Sequence, residues 1–437
     1  MEDVISAIST PYGTGGVAII RLSGDNSLAI AAEMFIPSGK VKVKDFTPNV
    51  MYTGKIVCDG FTDFGMCVYF AAPKSFTGGD VVEFHCHGGA QIARGVLAKT
   101  LSLGARIAER GEFTKRAFVA GKLSLSSAEG MIDMINAESL AQVRAGSMLY
   151  SERLTESVNG VRGKLTDLLA SIAADTDYPE EGIEQDELKD IKGILGGLKA
   201  GLKTLVEAYS VGKLIKSGVS VAICGKPNAG KSSLLNALLG YDKAIVSPLE
   251  GTTRDAVEGA ISIDGVNYNL TDTAGIRQTD GVIESMGIEL AKRILNSADI
   301  VLCLSDGNDF SAADGVGSDR LIKVFAKSDK VEPFGEYDIA LSSKTGDGLE
   351  KLKELMSEKS FGGKSLDSAF VIEERHYACL KRAYDKLCEA EENAGVYPLD
   401  MLSLDIREAW LTLGEITGDT ANEEIIDTVF AKFCVGK

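Results

Sequence analysis

The segment Gly225-Lys-Pro-Asn-Ala-Gly-Lys-Ser232 follows the apolar run Val219-Ser-Val-Ala-Ile-Cys224 and precedes the helix-like Ser233-Leu-Leu-Asn-Ala-Leu-Leu239. A strand, a glycine-rich turn and a helix start, in that order, make a phosphate cradle. Gly225 and Gly230 let the backbone wrap tightly, so that the amides around Asn228, Ala229 and Gly230, with the positive helix end, face an anion. Lys231 can reach the β- and γ-phosphates, the Ser232 hydroxyl can ligate Mg²⁺, and Ser233 continues into the helix. The plain alternative is a glycine turn with a surface lysine, which would not need both flanks to be correct. The chain reads as a binder of a nucleoside triphosphate.

Further segments extend this reading. Asp272-Thr273-Ala274-Gly275 lies about forty residues downstream at the end of a strand, where Asp272 can hold Mg²⁺ through water and the Gly275 amide can meet the γ-phosphate. Between the two, Gly251-Thr-Thr-Arg-Asp255 offers the Thr253 hydroxyl to complete the Mg²⁺ shell, with Arg254 beside it as a candidate catalytic residue. Taken alone, that segment could be a polar surface loop. Base selectivity is expected from Ala326-Lys-Ser-Asp329 and Ser342-Ser-Lys-Thr-Gly346, through Lys327, Asp329, Ser342, Ser343 and Lys344. Asp329 can accept from guanine N1 and its 2-amino group, which adenine cannot match. Ala326 stands where an Asn would support the base and the loop, and each lost hydrogen bond is worth about 0.5–1.5 kcal/mol. GTP is therefore expected over ATP, bound more weakly than the full motif would allow. Ile276 occupies the place of the water-orienting Gln of Ras-type enzymes, so another residue must position the attacking water. Glu284 is within reach of that segment, as one of several exposed acids.

The elements that must position these residues fall into blocks. Residues 1–120 show short β-like runs (Val17–Arg21, Gly65–Phe70) and a helical stretch near Ala90 to Leu103, as in an α+β domain. Residues 121–215 are helical, with an apolar stripe at Leu154, Val158, Val161, Leu165, Leu168 and Ile172. Strand-like segments return at Val219–Cys224, Val257–Ile263, Val266–Thr271, Asp299–Leu304, Leu321–Phe325 and Ile339–Leu341. Helix resumes over 364–437. An isolated amphipathic helix needs a partner for its apolar face, so the α/β module (216–363) is expected as an insertion in one discontinuous helical domain, 121–215 plus 364–437. The polar, glycine-rich stretch 306–319 predicts a short or absent helix where Ras-like folds carry one.

Composition limits the remaining classes. The 437 residues are 45% apolar and 25% charged, as in an ordinary folded protein. No uninterrupted run of about 18 apolar residues predicts a membrane span. The acidic start, Met1-Glu-Asp-Val-Ile-Ser, suggests neither a secretory nor a transit peptide. The 8 cysteines show no CxxC spacing, which favours reduced thiols and a cytoplasmic location. A net charge of −17 leaves only a local basic patch or a partner to grip RNA. His85 and His87 alternate on one strand face and could ligate a metal, although the chain has only 3 histidines.

With its motifs in this order, the chain resembles the tRNA-modification GTPase family called MnmE or TrmE over essentially its full length. The resemblance rests on Thr10-Pro-Tyr-Gly-Thr-Gly-Gly16, Ser75-Phe-Thr-Gly-Gly-Asp80, His87-Gly-Gly89, Gly111-Glu-Phe-Thr-Lys-Arg-Ala-Phe118, Gly251-Thr-Thr-Arg-Asp255 and the end Phe433-Cys-Val-Gly-Lys437. It implies an α/β and α+β multidomain fold: an N-terminal α+β domain that dimerises and binds folate, an all-α helical domain and an inserted Ras-like P-loop GTPase domain. It implies GTP/GDP, Mg²⁺, K⁺ and a 5-formyl- or methylene-tetrahydrofolate as cofactors. With a flavin-dependent partner, in a heterotetramer, the family's homodimers install an aminomethyl or carboxymethylaminomethyl group on C5 of the tRNA wobble uridine. The matching folate residues are Arg21, Glu83, Lys122 and Lys437. The matching K⁺ positions are Asn228, Ser247, Leu249 and Thr252, and the Mg²⁺ positions Ser232 and Thr253. An acid at the place of Glu284 orients the water through a second water, and Cys434 matches a functional cysteine. By its residues alone, Cys434 could equally be a nucleophile or a small buried hydrophobe. A non-catalytic GTP-binding switch in ribosome assembly and a folate-dependent transferase with a vestigial GTPase are the alternatives. The N-terminal motifs and the Cys-Val-Gly-Lys end argue against the switch.

Overall fold

Two sheets carry the functional segments. The computed structural model describes residues 2–177, 185–241, 259–273, 284–364, 366 and 370–436. The chain divides by compactness into one unit of Met1–Ile132, Tyr150–Ser171 and Arg407–Lys437 and a second of Asp133–Leu149 and Ile172–Ile406. Among the described residues no helix is long and apolar enough to cross a membrane.

In the first unit, β1 (Ile5–Ile8), β2 (Val17–Ser23), β3 (Phe35–Pro37), β4 (Met51–Cys58), β5 (Phe61–Phe70), β6 (Val81–His87) and β7 (Arg106–Ile107) form a sheet ordered β3-β4-β5-β6-β2-β1-β7. Neighbours are antiparallel except β1 and β7. The two-residue period of a strand sorts β6: Val82, Phe84 and Cys86 are buried in the core, while Glu83, His85 and His87 point to the other face. The helices Ser27–Met34 and Ala90–Ser102 close the apolar face with Ile30, Ala31, Met34, Ala93 and Val96. The C-terminal helix Glu423–Ala431 is capped by Asn422, whose side chain accepts the Ile425 N–H at 2.9 Å. It buries Val429 and Phe430, with Phe433, against Leu125, Ala128 and Ile132. The striped helix is Arg153–Asp177, with Leu154, Val158, Leu165 and Leu168 buried and Val161 half-buried. It also buries Arg162, whose guanidinium lies 4.4 Å from the Trp410 ring centroid and pairs with Asp419.

In the second unit, β8 (Val219–Gly225), β9 (Gly259–Ile263), β10 (Val266–Asp272), β11 (Ile300–Ser305), β12 (Leu321–Phe325) and β13 (Ile339–Ala340) are ordered β13-β12-β11-β8-β10-β9. Only β9 and β10 pair antiparallel, through the Asp264-Gly265 turn, whose φ values of 52° and 79° are the left-handed pair that a tight hairpin needs. The other pairs are parallel, and β8 and β11 are apolar runs because both of their faces are covered. The chain moves from β8 to β10 on one side and returns to β11 on the other. That reversal opens a crevice at the carboxyl end of β8, the usual ligand position in such sheets. Between β11 and β12 the polar stretch forms a short 3₁₀ turn, Ser311–Ala313, and no α-helix. The helix Glu374–Asn393 returns onto the helix Gln185–Ser217, with Tyr209 and Tyr377 stacked at 4.4 Å and Lys199 paired with Glu391. The helices on either side of the α/β segment therefore pack on each other.

Candidate functional site

Gly225 ends β8 with φ +144°, and a Cβ there would lie 2.3 Å from the Leu304 carbonyl oxygen of β11. Only glycine lets the strand turn into the loop so close to its neighbour. Gly225→Ala should therefore cost about 1–3 kcal/mol, read as a lower urea midpoint; an unchanged midpoint would contradict this packing. Asn228 follows at φ +65°, and Ala229 is buried with its N–H on the Lys226 carbonyl at 3.2 Å. Gly230 accepts the Leu234 N–H at 2.9 Å and so starts the helix Lys231–Tyr241.

Inside this loop Lys231 is only 7% exposed, and its Nζ donates to the Gly225 and Lys226 carbonyls at 3.0 and 2.9 Å. The ammonium is held where the loop wraps, with the half-buried Gly230 and exposed Ser232 and Ser233 beside it. Ser232 Oγ donates to Asp272 Oδ2 at 3.3 Å. A hydroxyl and a carboxylate from adjacent elements suit a hard divalent cation, directly or through water. Thr273 fastens the end of β10 to β8, its N–H and Oγ1 both donating to the Ile223 carbonyl at 3.1 and 3.0 Å.

The ends of β12 and β13 supply the other wall. Lys327, at φ +61°, donates from Nζ to the Asn228 carbonyl at 2.6 Å and to Asp306 Oδ2 at 2.7 Å. Asp329 Oδ1 accepts from the buried Ser342 Oγ at 2.8 Å, and that hydrogen bond holds its carboxyl below the usual range. Ser343 is half-buried, and exposed Lys344 donates its N–H to Ser342 Oγ at 3.3 Å. Ser247, Leu249, Thr252, Thr253, Arg254, Ala274 and Gly275 lie outside the described residues. So does the side chain of Glu284, whose backbone opens the helix Glu284–Ser297.

A second constellation lies in the first unit. Arg21 on β2 faces Glu83 on β6, with Nε to Oε1 at 2.7 Å, and its guanidinium lies 5.8 and 5.7 Å from the Phe76 and Phe113 ring centroids. His85 Nε2 lies 3.4 Å from Glu83 Oε2. Burial opposes ionisation of Glu83, but the imidazole and the guanidinium together hold its carboxyl below the ordinary value. The ionised pair therefore stabilises the sheet at neutral pH, and that contribution is lost as pH falls through the depressed value. Lys122 is exposed after the helix Glu112–Val119, and its Cε would lie 3.7 Å from a Cβ on Gly78, in the loop that carries Phe76.

The chain end docks on the same unit. The Cys434 carbonyl accepts the Gly111 N–H at 3.4 Å, Val435 bridges Arg110, and the Gly436 carbonyl accepts from Ser9 Oγ at 3.0 Å. Gly436 thus meets the end of β1, the strand whose Ala7 is the register partner of Arg21. Cys434 itself is exposed, and Lys437 lies outside the described residues. The sequence did not mark Phe76, Phe113 and His85 as neighbours of Arg21, although the Glu83-x-His85 alternation signals a shared strand face. His87 Nδ1 pairs with Asp63 at 2.6 Å, and no group of three or more metal-ligating side chains occurs among the described residues.

Two family models match. One, described as the GTP-binding protein TrmE N-terminus, spans residues 4–122, and the other, the MnmE helical domain, spans residues 125–434. Proteins named tRNA modification GTPase MnmE are similar end to end. That of Carboxydothermus hydrogenoformans is 37% identical over 100% of both chains. That of Acetivibrio thermocellus is 37% identical over 100% of this chain and 99% of its own. The Clostridioides difficile protein is 34% identical over 100% of both. Among solved structures, the G domain of the T. maritima FeoB iron transporter aligns with 32% of this chain at 28% identity and covers 98% of its own length. Its TM-score is 0.25, so the reading of the α/β module stands on the sheet order and the loop.

Proposed function

The chain belongs to the MnmE family of tRNA modification GTPases, and from that premise we propose how its own residues divide the work. It is a GTP hydrolase acting in tRNA modification. The observation that carries the nucleotide assignment is the buried Lys231 ammonium wrapped by its loop, beside the Ser232–Asp272 contact. Lys231 neutralises the β- and γ-phosphates. Ser232 and Thr253 hold Mg²⁺, with Asp272 behind them, and Asp329 reads guanine.

K⁺ bound at Asn228, Ser247, Leu249 and Thr252 would supply positive charge between the phosphates as two such modules of a homodimer pair. Arg254 lies in the same loop, and Glu284 orients the attacking water in place of a glutamine. In the N-terminal domain, Arg21, Glu83, Lys122 and Lys437 hold a 5-formyl- or methylene-tetrahydrofolate. A guanidinium beside two aromatic rings, paired with a carboxylate, suits the polar edge and flat face of a pterin. The cofactor supplies the one-carbon unit, with Cys434 close by as nucleophile or redox group. A flavin-dependent partner joins the homodimer on tRNA, and the product carries an aminomethyl or carboxymethylaminomethyl group at C5 of the wobble uridine.

Arg21→Gln is the direct test of the folate half. Binding of 5-formyl-tetrahydrofolate should weaken at least tenfold, as expected for loss of a charge-assisted contact. Mass spectrometry of tRNA from a deletion strain carrying this variant should show an unmodified wobble uridine. Full modification and undiminished binding would remove the assignment.

A further inference from the structure

The guanine segment lacks its asparagine, yet the loop that should depend on it is tied down at both ends. Ala326 is buried, and its N–H donates to the Ser305 carbonyl at 2.7 Å, which brings the next residue, Asp306, alongside the segment. Asp306 then accepts from Lys327 Nζ at 2.7 Å, while the same ammonium donates to the phosphate-loop carbonyl of Asn228 at 2.6 Å. Lys327 adopts φ +61°, a conformation that costs a non-glycine residue free energy unless its surroundings enforce it. Three residues on, Asp309 pairs with Lys226 of the phosphate loop. The stretch with no α-helix thus places two acids on two lysines that border the nucleotide crevice.

We propose that Asp306 is a positioning residue for guanine-nucleotide binding, using its ion pair with Lys327 to couple the base-binding segment to the phosphate loop and so replacing the tie that Ala326 cannot make. An asparagine amide at 326 could hydrogen-bond across these loops, whereas the methyl of alanine cannot. A carboxylate on the neighbouring strand end reaches the same loops through Lys327, whose three donors can serve Asp306 and Asn228 at once. The charge-assisted bond fixes the lysine stem along the wall and presets the left-handed turn before Asp329. Nucleotide binding then requires less ordering of the loop.

This inference rests on the reading of Lys327 and Asp329 as the base-binding segment. The test is a double-mutant cycle in the full-length protein, with the fluorescent analogue mant-GDP as the probe. Asp306→Ala should raise Kd about tenfold in the Ala326 parent, and Asp306→Asn, which preserves shape without charge, should raise it by an intermediate factor. With Ala326→Asn present, the same Asp306→Ala change should cost about twofold or less, because the asparagine restores the tie. The loss should appear in KM for GTP, with kcat changed little. Equal losses in the two backgrounds, or an unchanged Kd for both Asp306 variants, would overturn the proposal. Asp329→Ala separates the two levels: if guanine preference over adenine survives it, the segment reading itself fails.

Discussion

Lys231→Ala lowers single-turnover GTP hydrolysis by about 10³, the scale expected when a charged group aimed at transferring phosphate is removed. The ammonium sits within its loop on the Gly225 and Lys226 carbonyls, which fix it where the loop wraps. Alanine removes the charge and the ammonium's bonds to both carbonyls, of which that of Lys226 keeps another donor, the Ala229 N–H. Nucleotide affinity should therefore fall together with the rate. Lys231→Arg should not rescue, because a planar guanidinium cannot occupy a space shaped around a compact ammonium that is 7% exposed. Hydrolysis within about threefold of the parent would contradict a role for this lysine in phosphate stabilisation.

Exchange of K⁺ for Na⁺ should slow hydrolysis at least tenfold, and Glu284→Ala should remove on the order of 10² of the K⁺-supported rate, within the usual range for a residue that handles the attacking water. Ile276 has no polar atom to orient that water, so the chain needs another group to do it. The acid begins the helix Glu284–Ser297, downstream of the Asp272-Thr-Ala-Gly275 segment. The two measurements probe different parts. In the proposed mechanism the cation would act on phosphate charge and on pairing of the two modules, and the carboxylate on the nucleophile. A Glu284→Ala enzyme that still responds to K⁺ but turns over slowly fits this division. Equal rates in both salts, with Glu284→Ala as fast as the parent, would leave neither assignment standing.

The phosphate loop was readable because its physics is local. Glycines at 225 and 230, a lysine and a hydroxyl between a strand and a helix dictate one backbone path. The strands of the α/β module were also legible, since apolar runs bounded by turns announce buried parallel strands. The Asp264-Gly265 hairpin and the helix-poor stretch 306–319 follow from the same local rules.

Contacts distant in sequence were not legible. Arg162 adjoins the apolar stripe of its helix, and it is buried because Trp410 and Asp419 come to it from far along the chain. Arg21 and Glu83 stand out in the sequence through the family resemblance alone; their contact forms because β6 pairs with β2, and separate loops and helices bring Phe76 and Phe113.

By itself the sequence determined the glycine-rich loop with its lysine and hydroxyl, the candidate magnesium and guanine residues, and a family signature at both ends of the chain. Tertiary structure decided which charges meet. It brought the terminal Cys434–Gly436 segment to Gly111, Arg110 and Ser9, and it paired Asp306 with Lys327. The reason is the range of the forces involved. Backbone conformation and apolar periodicity are set by neighbours a few residues away, whereas an ion pair forms only after packing has brought distant strands within hydrogen-bonding distance.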